Sequence, residues 1–384
     1  MHPSLLTTEQ VALKDAARKL ALGEFRDRAA RWDRDGIYPE ENHHRLGALG
    51  YLGMTIPEEY GGGGAPLVDC YLVIEELAKV DFNTALIVHD QNVSPRIIAT
   101  CGSEALKQAF LPRFAAGEIE CAISWTEPEA GSDATAVTTS LRPDGDGFVL
   151  NGGKIFTTFG DRADYLLVYA RFCESKGARG IGTVLVHRKS PGVSVHILEQ
   201  KMGARGCNEC EIHFDDVRVP SENVVTEGLA GNSSGFVRPL GVYNATRVGM
   251  GILALGVAEG AFDLARDYMK TLRQFGKALS EMQGLQLMMS DMKVQIEAAR
   301  SLCYTALSLI DRGQPDPTLS SIAKVQATEM AQRVTHDAMQ MFGGYGYFGS
   351  LPLERMVRDV RMLTITGGTT QIHKNGIARA LFTD

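Results

Sequence analysis

The chain has few features that would place it outside soluble globular proteins. None of its apolar runs reaches the ~18 residues that a membrane span needs. The N-terminus, MHPSLLTTEQVALKDAARKL, lacks a signal-peptide layout and enters an amphipathic helical pattern almost at once. Basic residues are in deficit: the net charge is −7 and the pI near 5.8, which argues against nucleic acid or an anionic membrane as the main partner. A paired cysteine framework is also missing. The seven cysteines, at 70, 101, 121, 173, 207, 210 and 303, are odd in number and scattered, which fits a reducing compartment. Cys207 and Cys210 form a single CxxC without a second one, and the residues after it alternate like a strand, so a zinc or redox site is not expected there. Internal repeats and low-complexity segments are lacking too.

The remaining composition is that of a globular protein, with 44% hydrophobic and 22% charged residues. At 384 residues it accommodates two or three domains or one composite unit. The first third reads as helical. Thr7 stands three before Gln10 as in a capping box, a second helical pattern follows over 67–80, and Ser94-Pro95 reads as cap and first helical position. Between 121 and 225 the texture changes to short β-branched or aromatic runs: FVLNGGKIFTTF, DYLLVYARF, GTVLVHRKS, GVSVHIL and CEIHFDDVRVP. Their spacing predicts an antiparallel sheet or small barrel. Helical patterns return over 242–272, 281–311, 317–342 and 369–381. The expected class is therefore α+β, with an N-terminal helical domain (1–120), a middle β domain (121–232) and a C-terminal helical bundle (233–384).

Several segments look shaped around a ligand. WTEPEAGSDATA (125–136) sets Thr126 and Ser132 beside a glycine that lets the backbone bend close to an anionic group. NGGKIFTTF (151–159) puts an aromatic beside two hydroxyls, and QMFGGYGY (340–347) ends a helix in a glycine pair. Each alone reads rather as a turn beside core residues.

Taken together with GARGCNECEIHFDDVRVP, FGKALSEMQGLQ and the terminal GGTTQIHKNGIAR, these segments resemble the acyl-CoA dehydrogenase family over essentially the full length. The resemblance implies the acyl-CoA dehydrogenase-like fold with a C-terminal four-helix bundle. It also implies FAD, a CoA thioester substrate, a cytoplasmic homotetramer, no metal, and electron-transfer flavoprotein or a similar acceptor. By that resemblance Thr126 and Thr158 are hydrogen-bond partners of the flavin ring and Phe156 covers it. Phe275, Gln283, Gln340, Gly344, Thr369 and Gln371 match positions that hold the rest of FAD, some across a subunit boundary. Ser132 matches a position shared with CoA; Asn244 and Arg247 match CoA-contacting positions, although Arg247 alone also reads as a surface helix charge. Gly367 and Gly368 flank the thioester. One departure is Leu272, where the family often has an FAD-contacting arginine; Arg273 is the candidate substitute.

A larger departure concerns the base. The family's reaction removes an α-proton while hydride leaves the β-carbon, which requires a carboxylate in a water-poor pocket. Most members carry that glutamate where this chain has Gly367; a minority carry it where this chain has Thr246. Glycine keeps only the amide that polarises the thioester carbonyl. The replacement candidate is Asp90, at the end of the apolar run Ala85–Val88 in the region that closes over the acyl tail; alone, it also reads as a turn residue or helix cap. His89 is a rival base or simply a packed histidine. An early pocket aspartate with the terminal glutamate lost resembles the alicyclic members that act on cyclohex-1-ene-1-carboxyl-CoA. In those, 1,4-elimination forms cyclohexa-1,5-diene-1-carboxyl-CoA. The competing expectations are ordinary 1,2-dehydrogenation of an aliphatic or branched acyl-CoA with another base, a non-catalytic FAD- or acyl-CoA-binding member, and a reductase running the chemistry backward.

Overall fold

The Thr7–Gln10 capping box forms. The Gln10 amide donates to Thr7 Oγ1 at 3.2 Å and the Thr7 amide to Gln10 Oε1 at 3.1 Å, satisfying amides that a helix start leaves without partners. In this computed structural model, which describes residues 5–382, the box opens α1 (Thr8–Leu20). Then come α2 (Arg26–Asp35), α3 (Glu40–Ala48), α4 (Leu67–Ala78), α5 (Phe82–Gln91), α6 (Ser94–Cys101) and α7 (Glu104–Ala115). The expected Ser94 cap does not form. Only two residues separate α5 from α6, Val93 holds the cap position with helical backbone, and Ser94 is already inside the helix. Its hydroxyl donates instead to the Cys121 carbonyl at 3.2 Å.

α4 starts without a local side-chain cap. Asp311, more than two hundred residues downstream, supplies one: its carboxylate accepts from the Leu67 and Val68 amides at 2.9 and 3.0 Å. Asp311→Ala is expected to cost about 1–2 kcal/mol, the usual scale for a lost cap. A lower thermal midpoint and faster hydrogen exchange at these two amides would show it; unchanged exchange would mean that water or packing satisfies them equally well.

The middle of the chain forms β1 (Cys121–Ser124), β2 (Ser140–Asp144), β3 (Gly147–Thr158), β4 (Tyr165–Arg171), β5 (Ile181–His187), β6 (Val193–Ile197), β7 (Glu209–Pro220) and β8 (Val224–Thr226). Their order is β6-β7-β3-β2-β4-β5-β8, with β1 also paired to β4. The sheet is mostly antiparallel, as expected, but not wholly: β1 runs parallel to β4, Cys121 opposite Tyr165. The β2–β3 hairpin lies between these two strands and provides the long connection that a parallel pair requires. Register shifts in the β3–β7 pairing fall at Leu150/Gly152 and Lys154/Thr157. The second lies where Phe156 takes a left-handed φ of 57°, and such bulges bend a strand and redirect its side chains.

The C-terminal part comprises α8 (Ser234–Thr271), a short hairpin of β9 (Arg273–Gln274) and β10 (Lys277–Ala278), α9 (Gln283–Asp311), α10 (Pro317–Met341), α11 (Leu353–Met362) and α12 (Thr370–Leu381). α10 packs against α8, α9 and α12, and α8 also packs on α4, α5 and α6. α8 begins eight residues before its expected start despite Pro239. Proline removes the donor to the Gly235 carbonyl, and the Thr226 hydroxyl fills that vacancy at 2.7 Å. α8 is long and apolar enough by composition to cross a bilayer, with a mean hydropathy of 1.5 in its best 18-residue window, yet 83% of that window is buried inside the protein. It is the central core helix. Buried ion pairs tie it to its neighbours: Arg300 on α9 donates to Glu75 on α4 at 3.1 Å and to Glu259 on α8 at 2.6 Å.

Candidate active site

Asp90 lies in the last turn of α5 and caps nothing. Its helix is started by Asp81, whose side chain accepts from the Asn83 amide, and anchored by the fully buried Ala85, Leu86, Ile87 and Val88. That anchoring leaves the Asp90 side chain a quarter exposed, its carboxyl making no hydrogen bond with the described residues. Burial, reinforced by the negative charge of Glu209 and offset by Lys201, pushes its pKa up to about 8. Glu209, at the start of β7, is itself engaged. It accepts from Lys201 Nζ at 2.9 Å and from Thr158 Oγ1 at 3.0 Å. Glu209 thus bonds Thr158 and reaches Asp90, far away in sequence, only through its charge. His89 is completely buried, and burial brings its pKa down to about 3, which makes it a poor proton acceptor.

The Gly367–Gly368 turn is held from behind. Both glycines have left-handed backbone, φ 66° and 94°. Lys324 Nζ on α10 donates to the Gly368 carbonyl at 2.6 Å, and His373 Nε2 lies 3.1 Å from the Gly367 carbonyl. A carbonyl only accepts, so His373 Nε2 carries the proton and Nδ1 accepts from Ser321 Oγ at 3.1 Å. His373 is neutral: burial, then the charges of Lys324 and Arg247, lower its pKa to about 4. Lys324, buried without a carboxylate, is lowered to about 8, by burial and then by Arg247. Arg247 and Asn244 come together on α8, where Nη1 donates to Asn244 Oδ1 at 2.7 Å. Arg247 is not the surface charge that its helix position alone suggests; its Nε is buried without a partner.

Thr126 and Phe156 are also brought together. The Ile155 amide donates to the Thr126 carbonyl at 2.8 Å, and the left-handed backbone at Phe156 turns its ring outward, 62% exposed. The loop that carries Thr126 and the exposed Ser132 is held from inside by Glu127. Its carboxylate accepts from buried Lys154 at 2.7 Å and from the Thr138 and Thr139 amides. Arg273, Phe275, Gln283, Gln340, Gly344 and Gln371 are all exposed; Phe275, at the tip of the β9–β10 hairpin, is 95% exposed. Thr369 caps α12, accepting from the Ile372 amide. A cleft of about 1420 Å³ between α1, α2, α8 and α11 is lined by paired charges and contains none of these residues. Both CxxC thiols are buried: Cys207, in the loop before β7, has Sγ 3.5 Å from Asn83 Oδ1 of α5, and Cys210, within β7, has Sγ 3.8 Å from Asp161 Oδ1.

Models of three domains match consecutive parts of the chain. They are the acyl-CoA dehydrogenase N-terminal domain over residues 7–118, the middle domain over 122–217 and the C-terminal domain over 233–382. The chain belongs to the acyl-CoA dehydrogenase family. It is therefore an FAD-dependent oxidoreductase acting on CH–CH groups of acyl-CoA thioesters. This acyl-CoA dehydrogenase is 42% identical to 3-sulfinopropanoyl-CoA desulfinase of Paraburkholderia xenovorans over 380 residues, covering 98% of this chain and 96% of the relative. It is 38% identical to cyclohex-1-ene-1-carbonyl-CoA dehydrogenase of Syntrophus aciditrophicus, covering 98% and 90%. The structure of butyryl-CoA dehydrogenase from Megasphaera elsdenii superposes with a TM-score of 0.94 at 35% identity, covering 98% and 99%. Relatives with different substrates are thus similarly close, and the acyl group is a question for the site.

The residues present in this dehydrogenase suit a flavin. An exposed aromatic stands beside two threonines, and a helix N-terminus follows two glycines. Sequence reading missed Glu209, Lys201, Lys324 and His373. Nothing in their residue pattern marks them, because each acts through a contact that only the folded chain creates.

Proposed function

We propose that this acyl-CoA dehydrogenase oxidises an alicyclic thioester that already carries an α,β double bond, cyclohex-1-ene-1-carboxyl-CoA, by 1,4-elimination with Asp90 as base. The supporting observation is the pairing of an empty Gly367 with an unbonded carboxyl at Asp90 whose pKa is raised to about 8. Glu209, the neighbouring carboxylate, is committed to Lys201 and Thr158. Asp90 takes a γ-proton, and the electron pair of that C–H bond delocalises through the existing double bond onto the thioester oxygen. The Gly367 amide donates to that oxygen, from a turn whose Gly367 and Gly368 carbonyls are held by His373 and Lys324. FAD, when bound, supplies the acceptor for the hydride that leaves the other allylic carbon.

In this reading Thr126, Phe156 and Thr158 hold the flavin ring. Arg273, Phe275, Gln283, Gln340, Gly344, Thr369 and Gln371 hold the remainder of FAD, some of them from a neighbouring copy in a homotetramer. The exposed Phe275, Tyr347 and Phe348 suit such a contact, since large apolar side chains fully in water mark association surfaces. Ser132, Asn244 and Arg247 hold CoA, and electrons leave to electron-transfer flavoprotein or a similar acceptor.

Anaerobic flavin bleaching with a thioester panel tests the substrate. Bleaching is expected with cyclohex-1-ene-1-carboxyl-CoA and not with butyryl-, octanoyl- or cyclohexanecarboxyl-CoA. Bleaching by the saturated thioesters instead would overturn the 1,4 reading. Sulfite release from 3-sulfinopropanoyl-CoA without bleaching would point to desulfination, and no response to any thioester would point to a binding protein.

A further inference from the structure

The reaction above uses Asp90 and leaves unexplained the residue before it. His89 is 0% exposed, its Nδ1 is 3.2 Å from Tyr71 Oη, and its Nε2 is buried with no hydrogen-bond partner. That orphan nitrogen lies 4.0 Å from Asp90 Oδ1. A buried polar atom without a partner is costly and calls for a reason. The imidazole is neutral, burial having brought its pKa down to about 3, so it carries one proton on one nitrogen. A Tyr71 hydroxyl that donates to Nδ1 puts this proton on Nε2, aimed toward the Asp90 carboxylate.

The ring itself is fixed. A Cβ on Gly249 of α8 would fall 2.2 Å from Tyr71 Oη and 2.5 Å from His89 Cε1, so α8 packs directly on the Tyr71–His89 pair. Asp90, with a quarter of its side chain exposed, is the partner free to move. A side-chain adjustment of about 1 Å closes the gap to hydrogen-bond length.

We infer that His89, with its tautomer set by Tyr71, is a positioning residue that donates Nε2–H to the Asp90 carboxylate and holds it for proton abstraction. The inference rests on the assignment of Asp90 as base. It gives Asp90 two opposed influences. Glu209 and burial disfavour its charge, whereas the His89 donor favours it, as a hydrogen bond to the ionised form does. Lys201 acts on Asp90 in the same favourable sense, while the half-buried Tyr243 on α8 and the buried Tyr71 on α4 and Cys207 are neutral groups at its side.

The test compares His89→Gln, His89→Asn and His89→Phe as flavin-loaded enzymes. Gln carries its amide nitrogen near the place of Nε2, whereas Asn mimics Nδ1 and Phe donates nothing. The acid limb of the kcat/KM–pH profile should move up by about one unit in the Asn and Phe variants, with kcat down about tenfold at pH 7 and KM little changed, and it should return toward wild type in Gln. An infrared difference titration, wild type minus Asp90→Asn, reads the carboxyl's own pKa without turnover and should shift equally. Tyr71→Phe, which frees the tautomer, should give the same direction if His89→Phe proves unstable. An unmoved limb and carboxyl pKa in both His89→Asn and Tyr71→Phe overturns the role of His89 while leaving Asp90 intact. Full activity of Asp90→Asn overturns the base assignment instead.

Discussion

Asp90→Asn is expected to lower kcat on cyclohex-1-ene-1-carboxyl-CoA by about 10²–10⁴-fold, the usual worth of a positioned general base. The amide has nearly the shape of the carboxyl but cannot accept a proton. Flavin content and thioester binding should therefore survive, because Asp90 makes no hydrogen bond that the fold depends on. The wild-type enzyme should also show the base in its pH dependence. Only the carboxylate is competent, and its pKa is raised to about 8, by burial before any other cause. Below that value kcat/KM should rise about tenfold per pH unit, and above it level off. The limb should vanish in Asp90→Asn, where nothing remains to titrate. Stopped-flow flavin reduction across pH 6–10 measures both effects. A variant with unchanged rate and an unchanged limb clears Asp90 and returns the search to another acid.

Gly367→Glu should create an activity that the wild type lacks. The space exists: a Cβ at residue 367 meets only Met250 Cγ, at an ordinary 3.5 Å. The left-handed φ of 66° costs an L-residue about 1–2 kcal/mol, a cost that the contacts of Lys324 and His373 to the two carbonyls help the turn to bear. In the proposed site a carboxylate there stands beside the α-carbon, so saturated cyclohexanecarboxyl-CoA or butyryl-CoA should begin to bleach the flavin by 1,2-elimination. The proposed 1,4 reaction should weaken as the new side chain crowds the ring. A folded, flavin-loaded variant that still ignores saturated thioesters would show that a side chain at 367 is not what sets the reaction.

Much of this protein is legible in its residues. The capping box, the five β-rich runs and the late helical stretches depend on contacts within a few residues, so periodicity and turn chemistry report them. The failures are equally local in origin. Ser94-Pro95 has the pattern of a helix start, but the short α5–α6 connection leaves no extended residue to cap. The start of α8 was hidden because Pro239 breaks a helix only where no other donor serves its carbonyl partner, and Thr226 serves it.

The residues themselves determined the family, through motifs spread over the whole length, and exposed the vacancy at Gly367 and Thr246. They also nominated Asp90, without its orientation or charge. Its burial and the charges around it come from tertiary structure. Desolvation and the approach of Glu209 raise the pKa of Asp90, His89 is sealed against α8 with one nitrogen left over, and the Gly367–Gly368 turn is held by a lysine and a histidine from two other helices' faces. Apart from the His373 contact, six residues from Gly367, these are through-space effects between segments tens to hundreds of residues apart, and no local pattern encodes the distance or dielectric on which they depend.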